Sequence, residues 1–400
     1  MLVIAHHARS GIVGLNVVTA ALPDHVEVRF ARDRSAVATA LERSSGPAIV
    51  AWSFYSPDFE AAAADMAWVK ARSRPALHVA GGVHATAEPL LTLRAGFDRV
   101  AIGEGEATAA ALFEGPGTAR LDSEGRLVTA GPAARRPLDD FPAFNARHGK
   151  FNAIEITRGC IYACSFCQTP FMFKARFRHR SVANVRLHVA AMRRAGLRYV
   201  RFLTPTSLSY GSDGERPCLE AVEELLAAAR AEIGPAGKVY FGTFPSEVRP
   251  EHVSREALAV LRRYVDNEAL VIGGQSGSDR VLREMRRGHS VEEVERAVRL
   301  CVEAGFRPDV DFLLGIPGET PDDRRASLAF AQRLVALGAK IHSHAFMPLP
   351  GTPLRDALPE PIEADAALEM ARLESSGAMH GQWKRQTGIA NRLVELRRAR

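Results

Sequence analysis

The sequence predicts an α/β protein of two domains: an N-terminal flavodoxin-like parallel sheet, followed by a partial TIM-type (β/α) barrel with a helical C-terminal tail. Three observations predict this. Short apolar runs alternate with alanine-rich helical stretches up to about residue 115, the pattern of a parallel sheet with crossover helices. Turn residues then dominate residues 118–150. From residue 151 the strand-then-helix order resumes with different content, and 400 residues are too many for one ordinary core.

Residues 1–117 form the first domain, with strands expected at "LVIA", "VEVRF", "AIVAWS", "ALHVAGG" and "RVAIGEG". A doubly wound domain of this kind binds ligands in loops at the carboxyl ends of its strands, here "HHARSG", "SFYSPD", "GGVHAT" and "GEGE". Residues 118–150 read as a hairpin around Ser123-Glu124-Gly125 and a proline-bearing linker. In residues 151–355 the apolar runs "YVRFLT", "VYFGTF", "ALVIGGQ" and "DVDFLLGIPG" alternate with helical segments. The count falls short of eight units, so the expected barrel is partial. Residues 356–400 are expected to be a helical extension with a solvated basic end.

Composition is that of a soluble enzyme, with 46% hydrophobic and 24% charged residues. The net charge of +6 follows from arginine-rich composition, and no nucleic-acid partner is expected. The N-terminus lacks the basic and apolar regions of a secretory signal, and no apolar run approaches membrane-span length. Five cysteines, odd in number and unevenly spread, argue against a secreted disulfide framework and for a reducing cytoplasm.

Three of those cysteines, Cys160, Cys164 and Cys167, lie in "TRGCIYACSFCQTP". Spaced Cys-x3-Cys-x2-Cys in a loop after a strand, they can each aim a thiolate at one iron-sulfur cube, leaving one iron without a protein ligand. A zinc site would demand a fourth ligand, for which His179 is the candidate. A disulfide would leave one thiol over.

"CIYACSFC" closely resembles the cluster loop of radical S-adenosylmethionine enzymes, in which S-adenosylmethionine chelates the open iron through its amino and carboxylate groups. "VIGGQSGSDRVLREMRRGHSVEEVERAV", "VDFLLGIPGET" and "FMPLPGTPL" resemble later segments of that superfamily, in the same order. The resemblance implies a 4Fe-4S cluster on the three cysteines and reductive cleavage of S-adenosylmethionine to a 5'-deoxyadenosyl radical. It also places Phe166 near the adenine and Gln275 and Ser276 in the cofactor pocket, where many relatives carry glutamate before the serine. Gly315 and Gly318 would let backbone approach the ligand. Thr204 and Ser246, at strand ends, are candidate barrel-mouth contacts. Cys218 is a weak catalytic candidate, because some relatives use a lone barrel cysteine; Cys301, in an apolar helical stripe, reads as core.

A flavodoxin-like domain ahead of such a barrel resembles the cobalamin-dependent branch. "GGVHATAEP" and "VAIGEGEATAAAL" are similar to its fourth- and fifth-strand loops, which makes Ser53, Gly82, His84, Gly103 and Glu104 candidate cobalamin contacts. The first loop departs from the branch. Aligning Gly14 with the glycine of Asp-x-His-x-x-Gly puts Arg9 at the aspartate and Gly11 at the cobalt-ligating histidine. Cobalamin would therefore lack its usual lower histidine ligand, with His6 and His7 as candidate substitutes; alternatively, the domain keeps its shape without the cofactor.

The implied function is a cobalamin-linked radical enzyme, a methyltransferase on an unactivated carbon or phosphorus. The alternatives are a cobalamin-independent catalyst of ring formation or rearrangement, and a non-enzymatic iron-sulfur redox sensor. A methylthiotransferase is disfavoured, because that family resemblance would call for a second cluster on N-terminal cysteines and residues 1–159 contain none. The expected partners are a small-molecule or natural-product substrate and an electron donor such as flavodoxin or ferredoxin.

Overall fold

The computed structural model describes residues 1–8, 11–174 and 176–398. The chain divides into two compact units, Met1–Asn152 and Ala153–Arg400.

In the first unit the five expected strands form: β1 (Leu2–His6), β2 (Glu27–Ala31), β3 (Ala48–Ser53), β4 (Leu77–Gly81) and β5 (Arg99–Ala101). Helices α1 (Ile12–Ala20), α2 (Arg34–Glu42), α3 (Phe59–Arg72), α4 (Gly82–Ala87), α5 (Pro89–Arg94) and α6 (Gly105–Ala110) connect or follow them. The parallel order is β2-β1-β3-β4-β5, the flavodoxin-like order. Both faces of this sheet are covered, which is why its strands read as continuous apolar runs. Leu2, Ile4, Val50 and Trp52 belong to the core on one face; their alternating neighbours Val3, Ala5, Ile49 and Ala51 belong to the other.

The hairpin expected after these strands exists, as β6 (Thr118–Leu121) and β7 (Leu127–Thr129). It is more than a connection. β6 pairs antiparallel with β5, so the sheet continues to seven strands.

In the second unit, β8 (Ile154–Glu155) leads into a two-stranded ribbon of β9 (Thr157–Arg158) and β10 (Arg178–His179), which brackets the cysteine loop and α7 (Gln168–Met172). The barrel strands are β11 (Tyr199–Leu203), β12 (Lys238–Tyr240), β13 (Ala269–Gln275), β14 (Arg307–Leu314), β15 (Lys340–Ala345) and β16 (Met379–Gly381). They form two parallel sheets, β12-β11-β8 and β13-β14-β15-β16. The segment after β12 joins the two, since Val248 pairs with Ile272 and Thr204 with Ser246. The result is an open barrel short of eight strands.

The connecting helices are α8 (Val182–Arg194), α9 (Leu219–Ile233), α10 (Arg255–Tyr264), α11 (Asp279–Glu284), α12 (Val291–Glu303) and α13 (Pro321–Ala336). The tail supplies α14 (Ala364–Ser375) and α15 (Trp383–Arg398). Between them lies β16, where Ile341 pairs with Met379. The tail is thus helical at its end but adds one strand to the sheet, a strand too short to leave a periodic signal in the sequence.

Asp323 ties two of these helices together. With Thr320 it forms the capping box of α13, and it also accepts hydrogen bonds from Ser278 (2.6 Å) and Arg280. Burial alone would raise its pKa, but Arg280, Ser278 and Thr320 hold the carboxyl well below the usual range. A depressed folded pKa contributes stability above the unfolded pKa and loses it as pH falls through the folded value. Asp323→Asn is therefore expected to cost about 1–3 kcal/mol at pH 7. Thermal unfolding across pH checks this: the gap in Tm should narrow below about pH 4.

Candidate active site

The cysteine loop begins at Gly159, whose φ of 84° lies in the left-handed region that favours glycine. A Cβ there would sit 1.9 Å from the carbonyl oxygen of Arg176, so the ribbon closes over the loop entry. The Ser165 N–H donates to the carbonyl of Met285 (3.0 Å) and that of Cys167 to Cys164 (3.1 Å), which anchors the loop to the end of α11. Cys167 caps α7.

All three thiols are unpaired; Cys160 and Cys164 are buried and Cys167 is half-buried. Burial pushes the Cys160 thiol up to about 12 and raises that of Cys167, and the three sulfurs reinforce this by mutual repulsion. Thiolates at Cys160 and Cys167 are thus disfavoured by burial, and a bound cation is what would stabilise them. Single-zinc geometry does not fit. Sulfurs on one zinc lie about 3.8 Å apart, whereas among the described residues only Asp311, His342 and His344 bring three potential ligand atoms within 4.8 Å. His179 is also committed, with Nδ1 at 2.9 Å from the Thr157 hydroxyl and Nε2 at 2.7 Å from the Ser212 carbonyl. The wider spread suits a cluster that spaces its ligands on separate irons.

Around the loop lies a polar knot that sequence reasoning missed. Arg287, 3% exposed, donates from Nη1 to Cys164 Sγ (3.5 Å) and from Nη2 to the Gly273 carbonyl (2.7 Å). A Cβ on Gly273 would meet Arg287, Glu247 and Gln275 within 2.7–3.3 Å, so these three side chains converge on one glycine. Arg249, also buried, donates to the Arg287 carbonyl and lies 3.5 Å over the Tyr162 ring. Burial raises the Glu247 carboxyl, against the pull of Arg287.

The expected S-adenosylmethionine contacts are placed as follows. Phe166 is partly buried against the apolar cluster that includes Val281, Leu282, Met285 and Phe346. Gln275 is buried at a β-bulge with φ 71°, a conformation unusual for a side-chain-bearing residue and frequent at ligand sites. The Ser276 hydroxyl is 3.1 Å from that of Ser327 on α13 and accepts from the Ser278 N–H. Thr204 and Ser246 are neighbours across a parallel bridge, their hydroxyls donating to the carbonyls of Thr206 and Thr243. Gly315, at φ 72°, has its N–H bonded to Glu319 (2.8 Å), and a Cβ there would be 2.8 Å from the Glu360 carbonyl. The Gly318 N–H donates to Glu360 (3.0 Å). Cys218 caps α9, its sulfur 3.8 Å from Glu220. Cys301 is fully buried, its thiol pushed up to about 12 by burial.

In the first unit, the strand order reverses direction between β1 and β3, the switch point where such sheets bind ligands. Gly11 has φ 75°, and a Cβ on it would meet Ser53 O at 2.3 Å and Ser53 Oγ at 2.5 Å. A Cβ on Gly82 would meet Ser53 Oγ at 2.9 Å. Gly11, Ser53 and Gly82 thus form a close backbone edge at the carboxyl ends of β1, β3 and β4. Gly103, at φ 80°, donates its N–H to Thr86 (3.0 Å), and Glu104 precedes α6. Gly11→Ala is expected to destabilise this unit by about 2 kcal/mol, measurable as a lower denaturation midpoint at unchanged slope.

The candidate histidines of the first unit pack within the fold. His84 is 2% exposed, hydrogen-bonded to Ser56 (3.0 Å) and stacked on Phe59 at 4.4 Å; it packs in the core rather than lining the ligand edge. His6 packs on Trp52 at 4.3 Å, and His7 Nε2 is 2.9 Å from Asn16 Oδ1. Arg9 lies outside the described residues.

A buried three-thiol loop on an open parallel barrel, preceded by a flavodoxin-like sheet with a glycine-lined edge, defines an iron-sulfur α/β enzyme with a separate ligand-binding domain. Comparison with known proteins identifies the two domains. Residues 154–331 match the model of the Radical SAM superfamily and residues 11–113 that of the B12 binding domain. The second unit thus carries a Radical SAM domain and the first a B12-binding domain.

TsrM from Kitasatospora setae, a radical S-adenosylmethionine methyltransferase solved with cobalamin and a 4Fe-4S cluster, is similar in fold, with TM-score 0.68 and 19% identity, covering 90% of this chain and 79% of that one. The cobalamin-dependent radical enzyme OxsB gives TM-score 0.65 at 15% identity, covering 94% and 55%. The tRNA-2-methylthio-N(6)-dimethylallyladenosine synthase of Magnetococcus marinus is 30% identical over 261 residues, 64% of this chain and 57% of that protein. The chain spans a little over half the length of the first curated relatives it matches. No helix among the described residues is long and apolar enough to cross a membrane.

Proposed function

We propose that the protein is a cobalamin-dependent radical S-adenosylmethionine methyltransferase acting on an unactivated carbon or phosphorus of a small molecule. The observation that carries this reading is the pairing, in one chain, of an open three-thiol loop with a B12-binding domain whose ligand edge is shaped by Gly11, Ser53 and Gly82. Cys160, Cys164 and Cys167 would hold the cluster, and Gln275, near Arg287 and Glu247, would border S-adenosylmethionine. When bound, these groups supply one-electron reduction of the sulfonium and a methyl carrier. The chain's own residues bind and orient: Arg287 donates to Cys164, and the apolar packing around Phe166 excludes water.

A B12 domain without a histidine at Gly11 fits cobalamin held with no lower imidazole. Unpaired buried thiols fit a reducing, cytoplasmic setting and a flavodoxin or ferredoxin as electron donor. The methylthiotransferase-like relatives do not change the assignment, because residues 1–159 of this chain contain no cysteine for a second cluster.

Anaerobic reconstitution with hydroxocobalamin tests the proposal. Retention of one corrinoid per chain after gel filtration, with a spectrum lacking histidine ligation, is expected. A protein that releases all corrinoid yet still forms 5'-deoxyadenosine would instead be the cobalamin-independent catalyst.

A further inference from the structure

A cluster of acidic and histidine side chains shares one face of the β14–β16 sheet, with Arg307 and Lys340 at the starts of β14 and β15 on the same face. Asp309, Asp311, His342, His344 and His380 alternate along their strands with Val310, Phe312, Ile341 and Met379. Phe312 packs on Phe330 of α13; by strand alternation, the polar set faces away from α13, into the barrel. Register aligns Asp311 with His342 and His342 with His380. The set also reaches toward the cysteine-loop surroundings: Asp311 is near enough to add to the rise of the Glu247 carboxyl, which sits beside Arg287.

Hydrogen bonding fixes the protons. The Gln386 Oε1 of α15 accepts from the Ala345 N–H (2.8 Å), so its amide NH2 faces His344 Nδ1 (3.2 Å), which must accept. His344 therefore carries its proton on Nε2, 3.6 Å from Asp311 Oδ1. His342 Nδ1 lies 2.8 Å from the same oxygen and 3.2 Å from His344 Nε2; the carboxylate is the nearer neighbour, is charged and can only accept, so Nδ1 bears its proton and turns it to Asp311. In neutral His342 this leaves the Nε2 lone pair without a protein hydrogen-bond partner among the described residues. The ring is clamped by His380 stacked at 4.6 Å and 15° and by His344 edge-on at 4.1 Å. About a third of the side chain stays open (32%). His380 is in turn held by Asp309 at 2.9 Å.

We infer that His342 accepts a proton from the substrate through Nε2, with Asp311 as the positioning residue that fixes its tautomer. The Nε2 lone pair forms the new N–H bond, the substrate X–H bond breaks heterolytically, and its electron pair stays on the substrate atom. The imidazolium that results is stabilised by Asp311, as an oriented imidazole requires. The substrate class is a small molecule that carries a weakly acidic N–H, O–H or activated C–H. The inference rests on the proposed reading that this barrel interior holds the substrate. It uses the titratable groups on the same face of His342's own strand and its neighbours: Asp309, Asp311, Lys340, His344 and His380, with Glu247 beyond them.

Acylation of the reconstituted enzyme with diethylpyrocarbonate, mapped by mass spectrometry across pH, tests the assignment. His342 should be modified on Nε2, with a half-maximal pH above that of an ordinary imidazole. Asp311→Asn should lower its proton affinity about tenfold, one pH unit, and Asp311→Glu should restore it. An unreactive His342 in a protein whose exposed His380 reacts, or a midpoint unmoved by Asp311→Asn, overturns the inference. So does stoichiometric Co2+ binding that protects His342 and is lost in His344→Ala, which would make the trio a cation site. The readout requires no turnover, so a wild type that forms no 5'-deoxyadenosine defeats the functional reading separately.

Discussion

Replacing Cys164 by alanine is expected to remove the cluster and with it all cleavage of S-adenosylmethionine. Cys164 is 4% exposed and receives the Arg287 guanidinium, so no water or neighbouring carboxylate can take over its position at low cost. Iron in the anaerobically reconstituted protein should fall from about four atoms per chain to a small residue, with loss of the visible thiolate-to-iron absorption. 5'-Deoxyadenosine formation with a strong reductant should fall to the level without enzyme. Far-ultraviolet circular dichroism should be unchanged, because the loop contributes little regular structure. A variant that keeps its full iron content would sink the three-cysteine assignment.

Arg287→Met is expected to lower the reduction potential of the cluster. A buried cation donating to a ligating sulfur stabilises the reduced, more negative state; its removal favours the oxidised one. The Arg287 charge is itself secure, since Cys164 and Glu247 offset the burial that opposes it. The expected shift is about tenfold in the reduction equilibrium, or about 59 mV for one electron. Arg287→Lys should recover part of it, because an ammonium keeps the charge but not the forked geometry. A redox titration followed by electron paramagnetic resonance measures this directly, and equal potentials in all three proteins would show that the arginine serves packing alone. Some loss of stability should accompany the methionine variant, as Glu247 loses its counterion.

Much of this arrangement was legible in the chain. The strands of the first unit could be read because both faces are buried, and Val3, Ile4, Ile49 and Val50 leave no room for polar residues. The cysteine loop was readable because its ligands are close in sequence as well as in space. The polar set of β14–β16 was not, since Asp311 and His342 meet only through strand register across 31 positions. One signal was present: histidines at 342 and 344, two apart in a strand, must share a face. Arg287 and Glu247 escaped for a similar reason, as their convergence on Gly273 depends on a bulge before Gln275. His84 misled because "GGVHAT" reads as a loop, whereas it opens α4 and turns the imidazole onto Phe59.

Gly11 also limits what can be engineered into this domain. Its Cβ position is filled by the Ser53 backbone carbonyl. A single codon change to histidine would produce a clash with main chain, which cannot rotate aside as a side chain could. Placing an imidazole there would require β3 and the first loop to shift together. The position is therefore closed to any side chain by its neighbourhood, and a redesign of this edge would have to begin from β3.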